Sequence, residues 1–130
     1  MRNDNWAEAL DAILTERMSE PFCWGKNDCA LFAADCVLAM TGQDYAAAFR
    51  GKYDSEIGAV KALKRYGKGD LESTMDAQFP RKPVTLAQRG DVVMREGALG
   101  ICMGATSFFV TIADGLAGYK TADCLTAWGV

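Results

Sequence analysis

The chain has 130 residues, of which 50% are apolar and 24% charged, a composition typical of one globular domain. Its net charge of −3 gives no electrostatic reason to expect binding to nucleic acid or to an anionic membrane. No apolar run approaches the ~20 residues that a membrane-spanning helix needs.

The five cysteines form no C-x-x-C pair, so we expect no metal site and no cofactor; an iron–sulfur cluster held by scattered cysteines is the minor alternative. The start of the chain, Met1 to Asn5, lacks the apolar core of a signal peptide, which predicts synthesis and folding in the cytosol. Thiols stay reduced there. Cys36, Cys102 and Cys124 lie in apolar stretches and are expected to be small buried hydrophobic residues.

Helical periodicity dominates the first 80 residues. Ser19-Glu20-Pro21 ends a first helix, and Asp28 is a good N-cap for a second, Ala- and Leu-rich helix. One face of that helix is apolar and predicted to face the core, with Cys29 at its edge. The predicted helices cover residues 5–18, Cys29 to Met40, the short piece Tyr45 to Phe49, a segment from a cap at Asp54 or Ser55 to Tyr66, and Leu71 to Phe79.

After Pro83 the pattern changes to short apolar runs separated by glycine-containing turns. Five strands are predicted: Val92 to Met94, Leu99 to Met103, Phe108 to Ile112, Leu116 to Lys120 and Leu125 to Trp128. Helices followed by strands indicate one α+β domain over residues 1–130. Its helical part, residues 1–80, is predicted to pack on an antiparallel β meander over residues 84–130.

The segment Trp24-Gly25-Lys26-Asn27-Asp28-Cys29 carries the strongest chemical signal. It places a cysteine at the start of a helix, where free N–H groups and the helix dipole favour a thiolate. Cys29 is therefore the candidate nucleophile. A thiol catalyst also needs a base, which is usually histidine, and the chain contains no histidine.

Three motifs in order resemble the NlpC-type peptidases, papain-like enzymes that cleave bacterial cell-wall peptides. Asp28-Cys29-Ala30-Leu31-Phe32 is similar to the nucleophile motif of that family. Gly90-Asp91-Val92-Val93-Met94 and Gly100-Ile101-Cys102-Met103-Gly104 are similar to its two following glycine–strand motifs. The resemblance implies helices packed on an antiparallel sheet or half-barrel.

A small family of phage and prophage proteins, encoded among tail genes and of unknown function, resembles the chain more closely. The likeness rests on four segments: Pro21-Phe22-Cys23-Trp24-Gly25, Thr41-Gly42, Arg50-Gly51-Lys52-Tyr53 and Ala127-Trp128-Gly129-Val130. It implies a component of the tail tip or of its assembly machinery. Other tail proteins would be the partners, with several copies in one assembly.

The resemblance also shows where the chain departs from an active peptidase. The catalytic histidine would fall at Ala98, whose methyl group accepts no proton. The third polar residue of such sites would fall near Thr111. Activity would therefore require another base: Asp35, Asp91, Asp114 or Tyr119, or a group lent by a partner chain. Asp114 is the best of these by chain order, although it equally fits a hairpin turn.

The residues around Cys29 have structural and functional interpretations. Trp24 either lines a substrate groove or packs the turn against the sheet. Gly25 and Asn27 are predicted to set the geometry of the turn. Asp28 is predicted to act mainly as an N-cap of the helix, with any catalytic role secondary.

These observations predict a phage tail-tip or tail-assembly protein with a degenerate NlpC-type peptidase domain and a structural or docking role. It would be found in the host cytoplasm during assembly and afterwards in the virion. The alternative is an active cysteine endopeptidase or amidase that cleaves peptidoglycan stem peptides during genome entry. A third possibility is an assembly protease or chaperone that is absent from the finished particle.

Overall fold

A computed structural model describes residues 1–113 and 115–130. Within them the chain is an α+β domain with four α-helices and a six-stranded antiparallel sheet. Two short 3-10 turns, Val84–Leu86 and Thr121–Asp123, connect the strands. The helices are α1 (Trp6–Arg17), α2 (Cys29–Thr41), α3 (Glu56–Tyr66) and α4 (Leu71–Asp76), and the strands are β1 (Arg81–Lys82), β2 (Val92–Arg95), β3 (Ala98–Cys102), β4 (Thr106–Val110), β5 (Leu116–Lys120) and β6 (Thr126–Trp128).

The strand order in the sheet is β1-β6-β2-β3-β4-β5. Strands β2 to β5 form the predicted meander, and β6 returns to pair with β2 on the side away from β3. In the register, Val92 opposes Ile101 on one side and Trp128 on the other. The five predicted strands are confirmed to within two residues at their ends, since strand boundaries are set by tertiary pairing.

Both faces of the sheet are covered, because alternate residues of each strand point to opposite sides. On one face Val92, Leu99 and Ile101 pack with the buried side chains of α1 and α2 in the main core. On the opposite face Val93, Cys102 and neighbouring residues pack beneath the segments that carry the two 3-10 turns. We call these the helix face and the far face.

Helix α2 lies at the centre of the domain, which explains its apolar sequence. Phe32, Ala33, Cys36 and Met40 are buried in the core on the helix face, as predicted. The helix ends where Gly42 adopts φ +79° and its N–H bonds to the carbonyl of Leu38. Along with Cys36, Cys102 and Cys124 are buried, which confirms the prediction for these thiols.

Three local predictions differ from the structure. Tyr45 to Phe49 forms consecutive turns instead of a short helix, because the N–H groups of Ala47 and Phe49 bond to carbonyls three residues back. Helix α4 ends at Asp76, three residues before the predicted end at Phe79, and continues as a turn. The two-residue strand β1 was not predicted, and it forms because Arg81 and Lys82 pair with β6.

Gly100 allows a close contact on the far face of the sheet. A Cβ atom at this position would lie 2.5 Å from the ring of Phe109 on the neighbouring strand. Glycine is therefore required for Phe109 to lie flat over β3.

No helix among the described residues is long and apolar enough to span a bilayer, in keeping with the prediction of no membrane span.

Candidate functional site

Cys29 is the first residue of α2, and its side chain is half-buried. The preceding residue, Asp28, has extended backbone angles and caps the helix, as predicted. Its Oδ1 accepts a 2.9 Å hydrogen bond from the N–H of Leu31. The thiol therefore lies at the positive end of the helix dipole, where a thiolate would be favoured if nothing opposed it.

The carboxylate of Asp28 is fully committed to structural contacts. Only 1% of the residue is exposed. In addition to Leu31, Oδ2 accepts a 2.9 Å bond from the N–H of Gly25 and a 2.6 Å bond from the hydroxyl of Tyr53. With two backbone donors and a phenol on its oxygens, Asp28 holds the turn and a distant loop together.

Gly25 and Asn27 shape the turn before the helix, as predicted. Gly25 has φ +83°, and a Cβ atom there would lie 2.1 Å from the carbonyl oxygen of Tyr53. Asn27 is buried and donates a 3.0 Å bond to the carbonyl of Pro21, while its side-chain oxygen accepts from Arg17. Together these contacts fix the direction from which the chain enters α2.

Cys29 opens into an apolar pocket with a volume of about 240 Å³. The pocket lies between the start of α2, the loop before α3, helices α3 and α4, and the turn between β2 and β3. Trp24 is part of its lining, and its ring makes an edge-on contact with Phe22 at 4.9 Å between ring centroids. Trp24 thus lies in the wall of the pocket, and its role toward a substrate stays a prediction. The pocket is also lined by Ala30, Leu31, Tyr45, Phe49, Tyr53, Glu56, Ala59, Val60, Leu63, Leu71, Met75 and Gly97.

The pocket environment works against ionisation of the thiol. Burial raises the pKa of Cys29 above its usual value, and the nearby charge of Asp28 adds to the rise. Hydrogen bonding to the backbone at Leu99 and Ala30 lowers the pKa, but the balance of these effects is a raised pKa. At neutral pH the side chain is therefore a protonated thiol.

Two tyrosines, which the sequence did not point to, lie beside Cys29. Burial raises the pKa of Tyr45, and proximity to Cys36 and Cys29 raises it further. The hydroxyl oxygen of Tyr45 is buried and has no hydrogen-bond partner among the described residues. Burial and the bond to Asp28 likewise raise the pKa of Tyr53. Neither phenol is a base at neutral pH.

The segment that carries the predicted histidine position approaches Cys29 through its backbone. Gly97 lines the pocket, and hydrogen bonding to the backbone at Leu99 lowers the pKa of the Cys29 thiol. The side chain of Ala98, between them, packs in the cluster on the far face of the sheet with Val93. The structure thus brings the main chain of this strand, and not the Ala98 side chain, to the thiol.

Thr111 lies just beyond the end of β4, outside the lining of the pocket. Its hydroxyl donates a 3.2 Å hydrogen bond to the carbonyl of Gly115, so it closes the turn between β4 and β5.

The proposed substitute bases are engaged elsewhere. Asp35 pairs with Arg17 and Arg50 at the side of α2. Asp91 is buried and pairs with Arg2 and with Lys82.

Tyr119 lies on β5 beneath the guanidinium of Arg95 and outside the lining of the pocket. Asp114 falls outside the described residues. Of the described candidates, none lines the pocket next to Cys29.

The geometry therefore provides a shielded thiol, two protonated phenols and an apolar cavity, which together can bind an apolar group. Nothing in the local sequence marks Tyr45 or Tyr53 as part of this site. Both belong to a loop without periodicity, and only the tertiary fold brings them to the start of α2.

No curated protein matches the chain. The family model described as "Domain of unknown function (DUF6950)" matches residues 1–130. The chain therefore belongs to this family of unknown function.

Proposed function

We propose that this chain is a degenerate NlpC-type, papain-like domain that has kept the place of the nucleophile and now serves a structural or docking role. The observation that carries the proposal is the environment of Cys29. The thiol lies at a helix start, as a catalytic thiol would, yet burial in an apolar pocket raises its pKa.

The state of Asp28, Tyr45 and Tyr53, which lie beside the thiol, supports the same proposal. Cysteine nucleophiles are activated by a neighbouring group that accepts the proton and stabilises the thiolate. The carboxylate of Asp28 is occupied by three donors, and the phenols of Tyr45 and Tyr53 stay protonated at neutral pH. A pocket of this kind binds an apolar group without attacking it.

The biological setting that we propose is a phage tail, as a tail-tip or tail-assembly component. This part rests on the resemblance of segments such as Pro21-Phe22-Cys23-Trp24-Gly25 to proteins encoded among tail genes. The protein would act in the host cytoplasm during assembly and then in the virion, with other tail proteins as partners. Mass spectrometry of purified particles and of tail intermediates from a lysogen carrying the gene tests this setting, and absence from both would contradict it.

One observation favours the rival proposal of an active cysteine endopeptidase or amidase. Cys29 begins α2, and hydrogen bonding to the backbone at Leu99 and Ala30 lowers the pKa of its thiol. In that reaction the thiolate would attack an amide carbonyl, with the N–H groups at the helix start facing the oxyanion. The C–N bond would then break, the amine would leave with a proton taken from water, and a second water would hydrolyse the acyl-thioester and free the thiol. Peptidoglycan stem peptides would be the substrate.

The pH dependence of Cys29 alkylation distinguishes the two proposals. Iodoacetamide labelling is followed by mass spectrometry of the peptide that carries Cys29, with the exposed Cys23 as a reference for reagent quality. We expect labelling of Cys29 to rise only above pH ~8.5, the pKa of a free thiol. Selective labelling with an inflection well below that value would overturn the proposal.

A turnover assay complements the labelling. Purified sacculi are incubated with the protein and with Cys29→Ser, and soluble peptides are analysed by liquid chromatography and mass spectrometry. We expect no product that depends on Cys29. Release of stem-peptide fragments by the unsubstituted protein alone would establish the endopeptidase instead.

A further inference from the structure

The pocket beside Cys29 has the size of a side-chain receptor. Its volume of about 240 Å³ lies below the range of about 300–1,000 Å³ typical of small-molecule sites. Its walls are formed by Phe49, Leu63, Leu71 and Met75 in addition to the start of α2. A cavity of this size and lining accommodates one large apolar side chain, the kind of anchor that dominates protein interfaces.

An apolar strip continues from the pocket onto the surface. Val60 on α3 lines the pocket and is 49% exposed, and Ile57, one helical turn earlier, is 71% exposed. Residues three positions apart lie on the same side of a helix. A chain segment whose anchor fills the pocket would therefore also cover these two side chains.

The charged side chains that line the pocket and the groove beside it all have one sign. Asp28 and Glu56 line the pocket itself. Asp70 and Glu72 line the shallow groove that adjoins it at Leu71 and Gly97. Among the described residues, no lysine or arginine lines either depression.

We call the acidic side chains of Glu56, Asp70 and Glu72 the rim of the pocket, and their charges are only partly neutralised. Glu72 pairs with Arg81 at 2.7 Å. Glu56, in the exposed first turn of α3, forms no ion pair within the described part of the chain, and Asp70 accepts hydrogen bonds from the backbone and the side chain of Ser73. An occupant with positive charges next to its apolar anchor would complement this field, and an acidic one would be repelled.

From these observations, and resting on the proposed docking function, we propose that the pocket binds a basic segment of a partner protein. The segment inserts one aromatic or large aliphatic side chain beside Cys29 and places flanking lysine or arginine side chains over Glu56 and the acidic groove. Burial of the apolar side chain provides most of the affinity. The flanking cations fix the position of the segment on the pocket and determine which partner binds.

The probe for this proposal is the capped peptide acetyl-Gly-Lys-Phe-Lys-Gly-amide. Two comparators each change one feature: glutamate replaces both lysines, or alanine replaces the phenylalanine. Binding is measured by backbone amide shifts in two-dimensional NMR spectra and by slower alkylation of Cys29. We expect the probe to bind at least tenfold more tightly than either comparator and to bind more weakly as salt is raised.

Two variants, each with a matched control, test where the peptide binds. Glu56→Gln removes the free rim charge and is expected to weaken binding two- to fivefold. Glu8→Gln makes the same change in the exposed first turn of α1, and it should leave binding unchanged.

Ala59→Leu fills the pocket and is expected to abolish protection of Cys29. Ala12→Leu, at an exposed site on α1, should preserve it. Amide spectra of each variant establish that it is folded before binding is compared.

The outcomes separate this inference from the proposed function. Equal binding of the glutamate comparator, equal binding of the alanine comparator or no binding at all would overturn the basic-segment proposal and leave the docking role to be filled by another occupant. Protection of Cys29 that rises with protein concentration alone would assign the pocket to a second copy of the chain and would also overturn it. Cleavage of the probe, seen by mass spectrometry, would instead overturn the non-catalytic function.

Discussion

The hydroxyl of Tyr53 donates a 2.6 Å hydrogen bond to Oδ2 of Asp28, which joins the cap of α2 to a loop 25 positions further along the chain. The same loop touches the turn before the helix at Gly25, through the carbonyl of Tyr53. The start of α2 is therefore held from two directions. In this position an aspartate that adjoins a candidate nucleophile acts as a structural support.

Removing the phenol should measure the strength of this support. Tyr53→Phe deletes a hydrogen bond to a buried carboxylate, so we expect the free energy of unfolding to fall by about 1–3 kcal/mol. Urea denaturation gives the value. Tyr66→Phe is the matched control, because Tyr66 is 38% exposed and makes no hydroxyl hydrogen bond among the described residues. Equal losses in the two variants would contradict the role assigned to Tyr53.

Gly25→Ala should destabilise the protein more than the same change at another left-handed glycine. Both Gly25 (φ +83°) and Gly42 (φ +79°) adopt backbone angles that cost an alanine about 1–2 kcal/mol. Only at Gly25 does the new Cβ meet backbone, 2.1 Å from the carbonyl oxygen of Tyr53, whereas no atom lies within 4 Å at Gly42. We expect urea denaturation to give an excess loss of about 1–3 kcal/mol for Gly25→Ala. No excess would mean that the loop moves freely.

Stability should fall as the solution becomes alkaline. Burial raises the pKa of Cys29, Cys36, Tyr45 and Tyr53 in the folded chain. Below pH ~8.5 both folded and unfolded chains keep these protons, so the groups leave stability unchanged there. At higher pH the unfolded chain ionises first, and each such group lowers the free energy of unfolding by about 1.4 kcal/mol per pH unit until its folded pKa is reached.

Urea denaturation at several alkaline pH values measures this slope. Cys36→Ala removes one of the buried ionisable groups, so we expect a shallower fall of stability with pH above ~8.5, in addition to a constant loss from the small cavity. An unchanged slope would show that the Cys36 thiol ionises equally in both states.

Placing a histidine at the position suggested by the family resemblance should not activate Cys29 as a nucleophile. The side chain at position 98 starts on the far face of the sheet, among Val93 and its neighbours. We expect Ala98→His to leave the pH profile of Cys29 alkylation unchanged and to reduce stability. Ala98→Leu controls for bulk. A drop of one unit or more in the apparent pKa of Cys29 would show that the imidazole reaches the thiol.

Local signals were sufficient to predict the elements that carry the site. Asp28 followed by an apolar run gave both the cap and the start of α2, because N-capping depends on residues only three apart. The glycine-separated runs after Pro83 gave five strands of the sheet. The order of helices before strands then gave the α+β class.

The features that could not be predicted from the sequence depend on contacts between distant segments of the chain. The strand β1 has two residues and exists only because β6, far along the chain, pairs with it. Tyr45 to Phe49 has the composition of a short helix, but its turns place Tyr45 against Cys29 and Cys36 instead. The raised pKa of Cys29 follows from a pocket built by four separate segments, which no local pattern encodes.

The contact between Gly100 and Phe109 changes how the motif Gly100-Ile101 should be understood. The glycine leaves room for a ring on the far face of the sheet, away from the pocket. A Cβ atom at position 100 would meet both this ring and, 2.6 Å away, the backbone carbonyl oxygen of Phe108, so a smaller residue at 109 alone would not make room for a larger one at 100. The glycine of this motif is thus explained by the packing of two neighbouring strands. Its presence in a sequence indicates how the sheet packs, independently of any chemistry at the thiol.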